Sequence, residues 1–177
     1  MHWNVKETLK QLLQDRRYDV NGEVEHNVVA EHKETKEKLT IIYIQDQKLG
    51  IQTVKVIENI MIETKVTHAI VVHENSITPC AKSGMIALQD EGYNIELFTS
   101  TELMYNVNKH HLVPKHTILS KDEKKEVLRF FKATDKRMPY IMQTDPIARY
   151  YGASVGTMFK IERDELASVP YYRVVVA

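Results

Sequence analysis

The sequence predicts an α/β (α+β) chain, and three observations carry that prediction. Short apolar, β-branched runs, Leu39-Thr40-Ile41-Ile42-Tyr43-Ile44 and Ala69-Ile70-Val71-Val72, read as buried strands. Segments with apolar residues three and four positions apart separate them, which is the spacing of amphipathic helices. Turn and stop residues such as Asn21-Gly22, Lys48-Leu49-Gly50 and Gly92 punctuate the alternation.

Residues 4–17 come first and read as a helix, with Val5, Leu9, Leu12, Leu13 and Arg16 on one stripe. Residues 31–38 are charged and suit a loop or hairpin rim. The strand at 39–44 precedes a helix over 53–65, where Val54, Ile57, Ile60 and Met61 recur at helical spacing. The strand at 69–72 leads to a helix over 81–91 with Ala81, Met85 and Leu88 on one face and Gly92 as its stop. Asn94-Ile95-Glu96-Leu97-Phe98 is a third strand, and Ser100-Thr101-Glu102 can cap a short helix ending near Asn106. This α-β-α-β-α-β order predicts a layered domain over residues 1–106.

A second module is expected over residues 107–177. Val113-Pro114 forces extended backbone before the proline. Ser120-Lys121-Asp122-Glu123 has capping-box form, and a helix to about residue 132 follows with Val127, Leu128 and Phe131 on one side. Tyr140-Ile141-Met142 reads as a strand. Asp145-Pro146 is an N-cap with proline at the first helical position, and Gly152 can end that short helix in the left-handed conformation. Ser154-Val155-Gly156 is a turn, and residues 158–161 and 172–176 are the last strands.

Composition narrows the function classes. The 177 residues are 43% hydrophobic and 27% charged, enough for one domain or two small ones. No run of about 18 apolar residues exists, and Met1-His2-Trp3-Asn4-Val5-Lys6 has no apolar signal region, so no membrane partner is expected. The single cysteine, Cys80, fits a reducing compartment, cytosol or nucleus. Net charge is zero but uneven: residues 1–108 carry 11 Lys and Arg against 16 Asp and Glu, and residues 109–177 carry 13 against 8. An acidic front and a basic back suit two modules with different neighbours, although solvated faces alone can give the same imbalance.

Catalytic constellations are missing. There is no glycine-rich phosphate loop and no G-x-S-x-G elbow. His110, His111 and His116 cluster without the further ligand a zinc site needs, so they read as loop histidines and no metal or cofactor is expected. Cys80 has no partnered base. Glu34-Thr35-Lys36 and Glu63-Thr64-Lys65 echo the E-x-K of metal-dependent nucleases, but neither lies inside an apolar strand. Neither a catalytic residue nor a small-molecule substrate is therefore expected. Thr78-Pro79-Cys80-Ala81-Lys82 opens a helix, where backbone N–H groups suit a phosphate; the same residues also make a plain N-cap.

His110…Leu112-Val113-Pro114-Lys115-His116…Leu119-Ser120-x-Asp122-Glu123 resembles the signature of the shared fifth subunit of eukaryotic RNA polymerases I, II and III, and of its smaller archaeal RNA polymerase counterpart. The likeness continues through Met138-Pro139-Tyr140-Ile141, Asp145-Pro146-Ile147-Ala148-Arg149-Tyr150-Tyr151-Gly152, Gly156, Lys160-Ile161-x-Arg163 and Tyr172-Arg173-Val174. A weaker, collinear likeness to the eukaryotic N-terminal jaw runs through Leu12-Leu13-x-Asp15-Arg16-x-Tyr18, Gly50-Ile51-Gln52-Thr53-Val54-Lys55, Ala69-Ile70-Val71-Val72 and Thr78-Pro79-Cys80-Ala81-Lys82.

The resemblance implies a jaw domain similar to restriction-endonuclease-like folds and a small two-layer α/β domain of the archaeal type. It implies a non-catalytic polymerase subunit, nuclear if cellular, or in a cytoplasmic factory or virion if viral. Its partners would be the largest and other polymerase subunits and downstream duplex DNA, without sequence preference. The DNA-contact residues would be Thr78, Pro79, Cys80, Ala81 and Lys82. Docking would use His110, Val113, Pro114, His116, Asp145, Pro146, Arg149, Tyr150, Gly152, Gly156 and Arg163. Three departures stand out: Cys80 for the usual serine, Val155 for a basic residue before Gly156, and an altered segment over residues 164–171. The rival readings are a free-standing metal-dependent nuclease and a transcription adaptor outside the polymerase.

Overall fold

Arg16 closes the apolar stripe of the first helix, α1 (Trp3–Asp15), whose Val5, Leu9, Leu12 and Leu13 are all buried. The computed structural model describes residues 3–20, 28–44, 48–163 and 169–177; the Asn21-Gly22 turn and residues 164–168 of the altered segment lie outside the described residues. The chain divides into two units, Met1–Tyr105 and Asn106–Ala177.

In the first unit α1 is followed by β1 (Tyr18–Val20), β2 (Val28–His32), β3 (Lys38–Ile44), α2 (Ile51–Thr64), β4 (His68–His73), α3 (Pro79–Asp90) and β5 (Asn94–Thr99). The strands form one sheet in sequence order, antiparallel from β1 to β3 and parallel from β3 to β5. The simple alternation expected from sequence is thus interrupted by an extra strand pair. β1 is only three residues and β2 carries Glu31 and His32, so neither shows a clear apolar run.

Strand alternation sorts the core into two faces. Ile42, Ile44, Ala69, Val71 and Ile95 meet Val54, Ile57 and Met61 of α2 and Ala81, Met85 and Leu88 of α3. The opposite parity, including Ile41, Ile70 and Glu96, faces α1, since Arg16 reaches Glu96. Each fully buried aliphatic side chain contributes about 1.5–3 kcal/mol. Gly84 lets α2 and α3 approach: a Cβ there would lie 2.9 Å from Ile51 Cδ1.

The helix expected from Ser100-Thr101-Glu102 does not form. Thr99, one residue earlier, makes the capping exchange instead: its N–H donates to Glu102 Oε2 at 2.8 Å and its Oγ1 accepts from Glu102 N–H at 3.2 Å. Only turns follow, and Leu103 alone of residues 101–105 is buried. A single anchored side chain does not offset the cost of nucleating a helix.

The second unit begins with a 3₁₀ turn (Val107–Lys109), then β6 (Lys115–Ile118), α4 (Lys121–Phe130), a second 3₁₀ turn (Asp135–Arg137), β7 (Tyr140–Met142), α5 (Pro146–Tyr150), β8 (Met158–Glu162) and β9 (Tyr171–Val176). The sheet order is β6-β8-β9-β7, with only the β9–β7 joint parallel. β6 is absent from the sequence reading because just one of its residues, His116, is buried.

The Ser120 capping box is complete, with Oγ accepting from Glu123 N–H at 3.3 Å and Glu123 Oε2 accepting from Ser120 N–H at 2.8 Å. Asp145 Oδ1 accepts from Ile147 N–H at 2.9 Å, Pro146 is the first helical residue of α5, and Gly152 at φ 60° reverses the chain after it. Ala148 and Ala153 pack with Ile141, Phe159, Ile161 and Val175 on one sheet face. α4 lies along the other face, where Phe131 meets Tyr172, and none of its residues is buried. The sheet therefore carries a helix on each face, which corrects the two-layer expectation. Among the described residues no helix is long and apolar enough to cross a membrane.

Candidate nucleic-acid and partner interfaces

The Thr78–Lys82 segment sits at the carboxyl ends of the parallel strands, where α/β sheets present their loops. Leu49 anchors it. The Leu49 N–H donates to Ser76 O at 3.2 Å, and Leu49 O accepts both the Thr78 N–H at 3.0 Å and the Thr78 hydroxyl at 3.1 Å. Thr78 Oγ1 also accepts from Ala81 N–H at 3.3 Å, capping α3 with Pro79 at its first turn. The Thr78 hydroxyl has one proton, and it points at Leu49.

This geometry sorts the five expected DNA-contact residues. Pro79, Cys80 and Lys82 are exposed, and Thr78 is half-buried. Ala81 is fully buried in the α2–α3 core, so its side chain has no outward surface, a correction to its inclusion. Pro79 has no N–H and the Ala81 N–H is capped by Thr78. An anion would therefore meet the Cys80 N–H at the second helical position and the Lys82 ammonium.

The second set gathers around the start of the second unit. His116 Nδ1 lies 2.7 Å from Pro114 O, and His116 O accepts from the Tyr151 hydroxyl at 3.1 Å. Asn108 Nδ2 donates to the Tyr151 hydroxyl at 2.7 Å, and Asn106 Nδ2 to that of Tyr150 at 3.0 Å. Burial pushes the His116 imidazole below its ordinary pKa; the Pro114 carbonyl and Asp145 oppose this, and Arg173 and Arg163 add to it. Asp145 and Arg163 therefore lie within electrostatic reach of His116.

His116 and Tyr150 are both buried, so they support the surface from within and do not form it. His110, Pro146, Gly152 and Arg163 are exposed; Val113, Pro114, Asp145, Arg149 and Gly156 are half-buried. Gly156 stands apart from the His116 group. Its N–H donates to Val175 O at 2.9 Å and its O accepts from Lys124 Nζ at 2.8 Å. Leu49, Asn106, Asn108 and Lys124 do not stand out in the sequence as site residues, because each acts through contacts far along the chain.

The remaining polar candidates resolve locally. Glu34 lies in the turn between β2 and β3 and pairs with Arg17 at 2.6 Å, both exposed. Lys65 closes α2 in the left-handed region at φ 53°. Among the described residues no group of three or more His, Cys, Asp or Glu side chains could hold a metal ion.

The family model of RNA polymerase Rpb5, C-terminal domain, matches residues 105–175. Over 98% of this chain and 95% of its relative, the sequence is 33% identical to DNA-directed RNA polymerases I, II, and III subunit RPABC1 of Caenorhabditis briggsae. The chain belongs to the Rpb5 family. The Caenorhabditis elegans RPABC1 subunit is 36% identical over 84% of this chain and 71% of its own length. The Dictyostelium discoideum subunit is 33% identical over 97% and 95%. All three relatives are named as subunits of DNA-directed RNA polymerases I, II and III.

Proposed function

We propose that this chain is a non-catalytic subunit of a multisubunit DNA-dependent RNA polymerase in the nucleus. Its second unit docks on the largest subunit and its first unit serves as a jaw beside downstream duplex DNA. The observation that carries this reading is collinear similarity to RPABC1 over 98% of the chain, through both units. The five-stranded mixed sheet with helices on both faces supports a restriction-endonuclease-like ancestry for the jaw.

Docking falls to the His110–His116 loop and α5, with Gly156 and Arg163. Extended backbone at Val113-Pro114 and the capped, glycine-closed α5 present a rigid surface, which lowers the ordering cost of association. The jaw region, residues 1–108, carries a net charge of −5, so it does not grip DNA by bulk attraction. Contact is local, through the Cys80 N–H, Lys82 and the exposed face of Pro79, with Thr78 holding the loop in shape. Such contacts touch the phosphate backbone and read no sequence.

Affinity purification of the tagged full chain from its source tests the reading. The two largest polymerase subunits are expected in equal amounts with it. Their absence from the purified material overturns the assignment.

A further inference from the structure

A groove of about 660 Å³ runs between the N-terminal half of α4 and the turn that precedes β8. Leu128, Val155 and Met158 line it, with Val155 56% exposed. Lys121 and Lys125 stand on its rim, both exposed. Lys121 has no ion-pair partner among the described residues, and Lys125 holds only the exposed Asp122 at 2.9 Å, a pair that exchanges at little cost. The floor is fixed: Lys124 Nζ bridges Asp135 Oδ2 at 2.6 Å and Gly156 O at 2.8 Å, tying α4 to the turn.

Ile118, at the end of β6, also borders this groove, and β6 is an edge strand. The Leu119 N–H donates to Met158 O at 3.0 Å, so residues 117 and 119 turn their backbone groups toward β8. Residues 116 and 118 then turn theirs outward. The Tyr151 hydroxyl covers the outward carbonyl of His116, whereas the N–H and C=O of Ile118 have no partner on that side among the described residues. An open strand end, an apolar slot and a basic rim meet at one place.

We propose that this groove takes an extended, acidic segment of another polypeptide. Its backbone pairs with Ile118, one aliphatic side chain fills the slot between Leu128 and Val155, and flanking carboxylates meet Lys121 and Lys125. Strand addition supplies affinity through main-chain bonds and the slot supplies selectivity. The basic rim selects the sign of the partner. A nucleic-acid strand fits less well, because phosphates gain nothing from the apolar floor or the strand edge.

The proposal goes beyond the polymerase reading and is tested on the full chain alone. The probe is a fluorescent peptide alternating leucine and aspartate, followed by anisotropy, with an alternating leucine–lysine peptide as control. The acidic peptide is expected to bind, to shift the Ile118 amide resonance and to leave the basic peptide free. Lys121→Glu with Lys125→Glu is expected to weaken binding by about tenfold or more, and Val155→Asp to abolish it while the melting curve stays in place. No binding by the acidic peptide, equal binding of both peptides, or binding indifferent to these variants overturns the proposal. Competition by a short DNA duplex, or a concentration-dependent dimer that Val155→Asp dissolves, overturns it in favour of those occupants. A chain that co-purifies with polymerase and yet ignores the peptide loses only the groove assignment.

Discussion

Arg16 and Glu96 face each other across 80 positions of sequence and join as a two-pronged ion pair, Nη1 to Oε1 at 2.8 Å and Nη2 to Oε2 at 2.7 Å. The pair locks the end of α1 onto β5, and His68 Nε2 stands 2.7 Å from the same Glu96 Oε1. The Arg16 side chain is 5% exposed and that of Glu96 17%. Removing one partner strands the other in a poorly solvated place. Arg16→Met is expected to destabilise the first unit by about 3–5 kcal/mol, read as a fall in the urea midpoint. The double variant Arg16→Met with Glu96→Leu is expected to recover much of that loss.

The same pair sets an acid limit. Burial alone would push the Glu96 carboxyl up, but Arg16 and the His68 bond outweigh it and hold the pKa at about 2. A carboxylate lowered on folding contributes stability that is complete above its ordinary pKa and is lost as pH falls through the folded value. The margin of the wild type over Glu96→Gln should thus be constant above about pH 4.5 and shrink steadily toward pH 2. Thermal melts across that range measure it; a margin that does not change with pH contradicts the assignment.

Thr40 is a stability defect in the centre of the first sheet. Its hydroxyl is buried without a hydrogen-bond partner among the described residues. Thr40→Val keeps the shape and removes the stranded group, so the protein should gain about 1–2 kcal/mol. Differential scanning calorimetry would show a higher melting temperature.

Gly152 at φ 60° is outside the range that side chains adopt cheaply. Gly152→Val should cost about 1 kcal/mol or more through backbone strain alone. Circular-dichroism melts compare it with Ser120→Ala, which removes the α4 cap and should cost about 1 kcal/mol.

At the jaw, Lys82→Ala should shorten the salt tolerance of an elongation complex without disturbing assembly, because Lys82 is exposed and outside the core. Thr78→Ala should act differently. It releases the ties to Leu49 and Ala81, so faster amide exchange over residues 76–81 is expected alongside any loss of DNA contact.

What could be read from sequence was local. The stripe of α1, the apolar runs of β3 and β4, the capping box at Ser120 and the Asp145-Pro146 start of α5 each announce themselves within a few residues. β1, β2 and β6 do not, because short strands owe their existence to partners elsewhere in the chain. The motif strings named Ala81, His116 and Tyr150 as contact residues, yet all three are buried; a string of letters does not say which side chain turns inward. Leu49 reaches Thr78 across 29 positions, and only the folded backbone reveals that the threonine proton is already committed.

Tyr150, the last residue of α5, and Tyr151 just after it read the opening of their own unit. Asn106 and Asn108 donate to Tyr150 and Tyr151 from more than 40 positions upstream. A protease cut or a fusion joint placed after Lys109 would therefore sever more than a tether, since it would part Tyr150 and Tyr151 from the Asn106 and Asn108 amides. A joint just before Asn106 would keep both bonds within the fragment, so four residues along the chain separate the two outcomes.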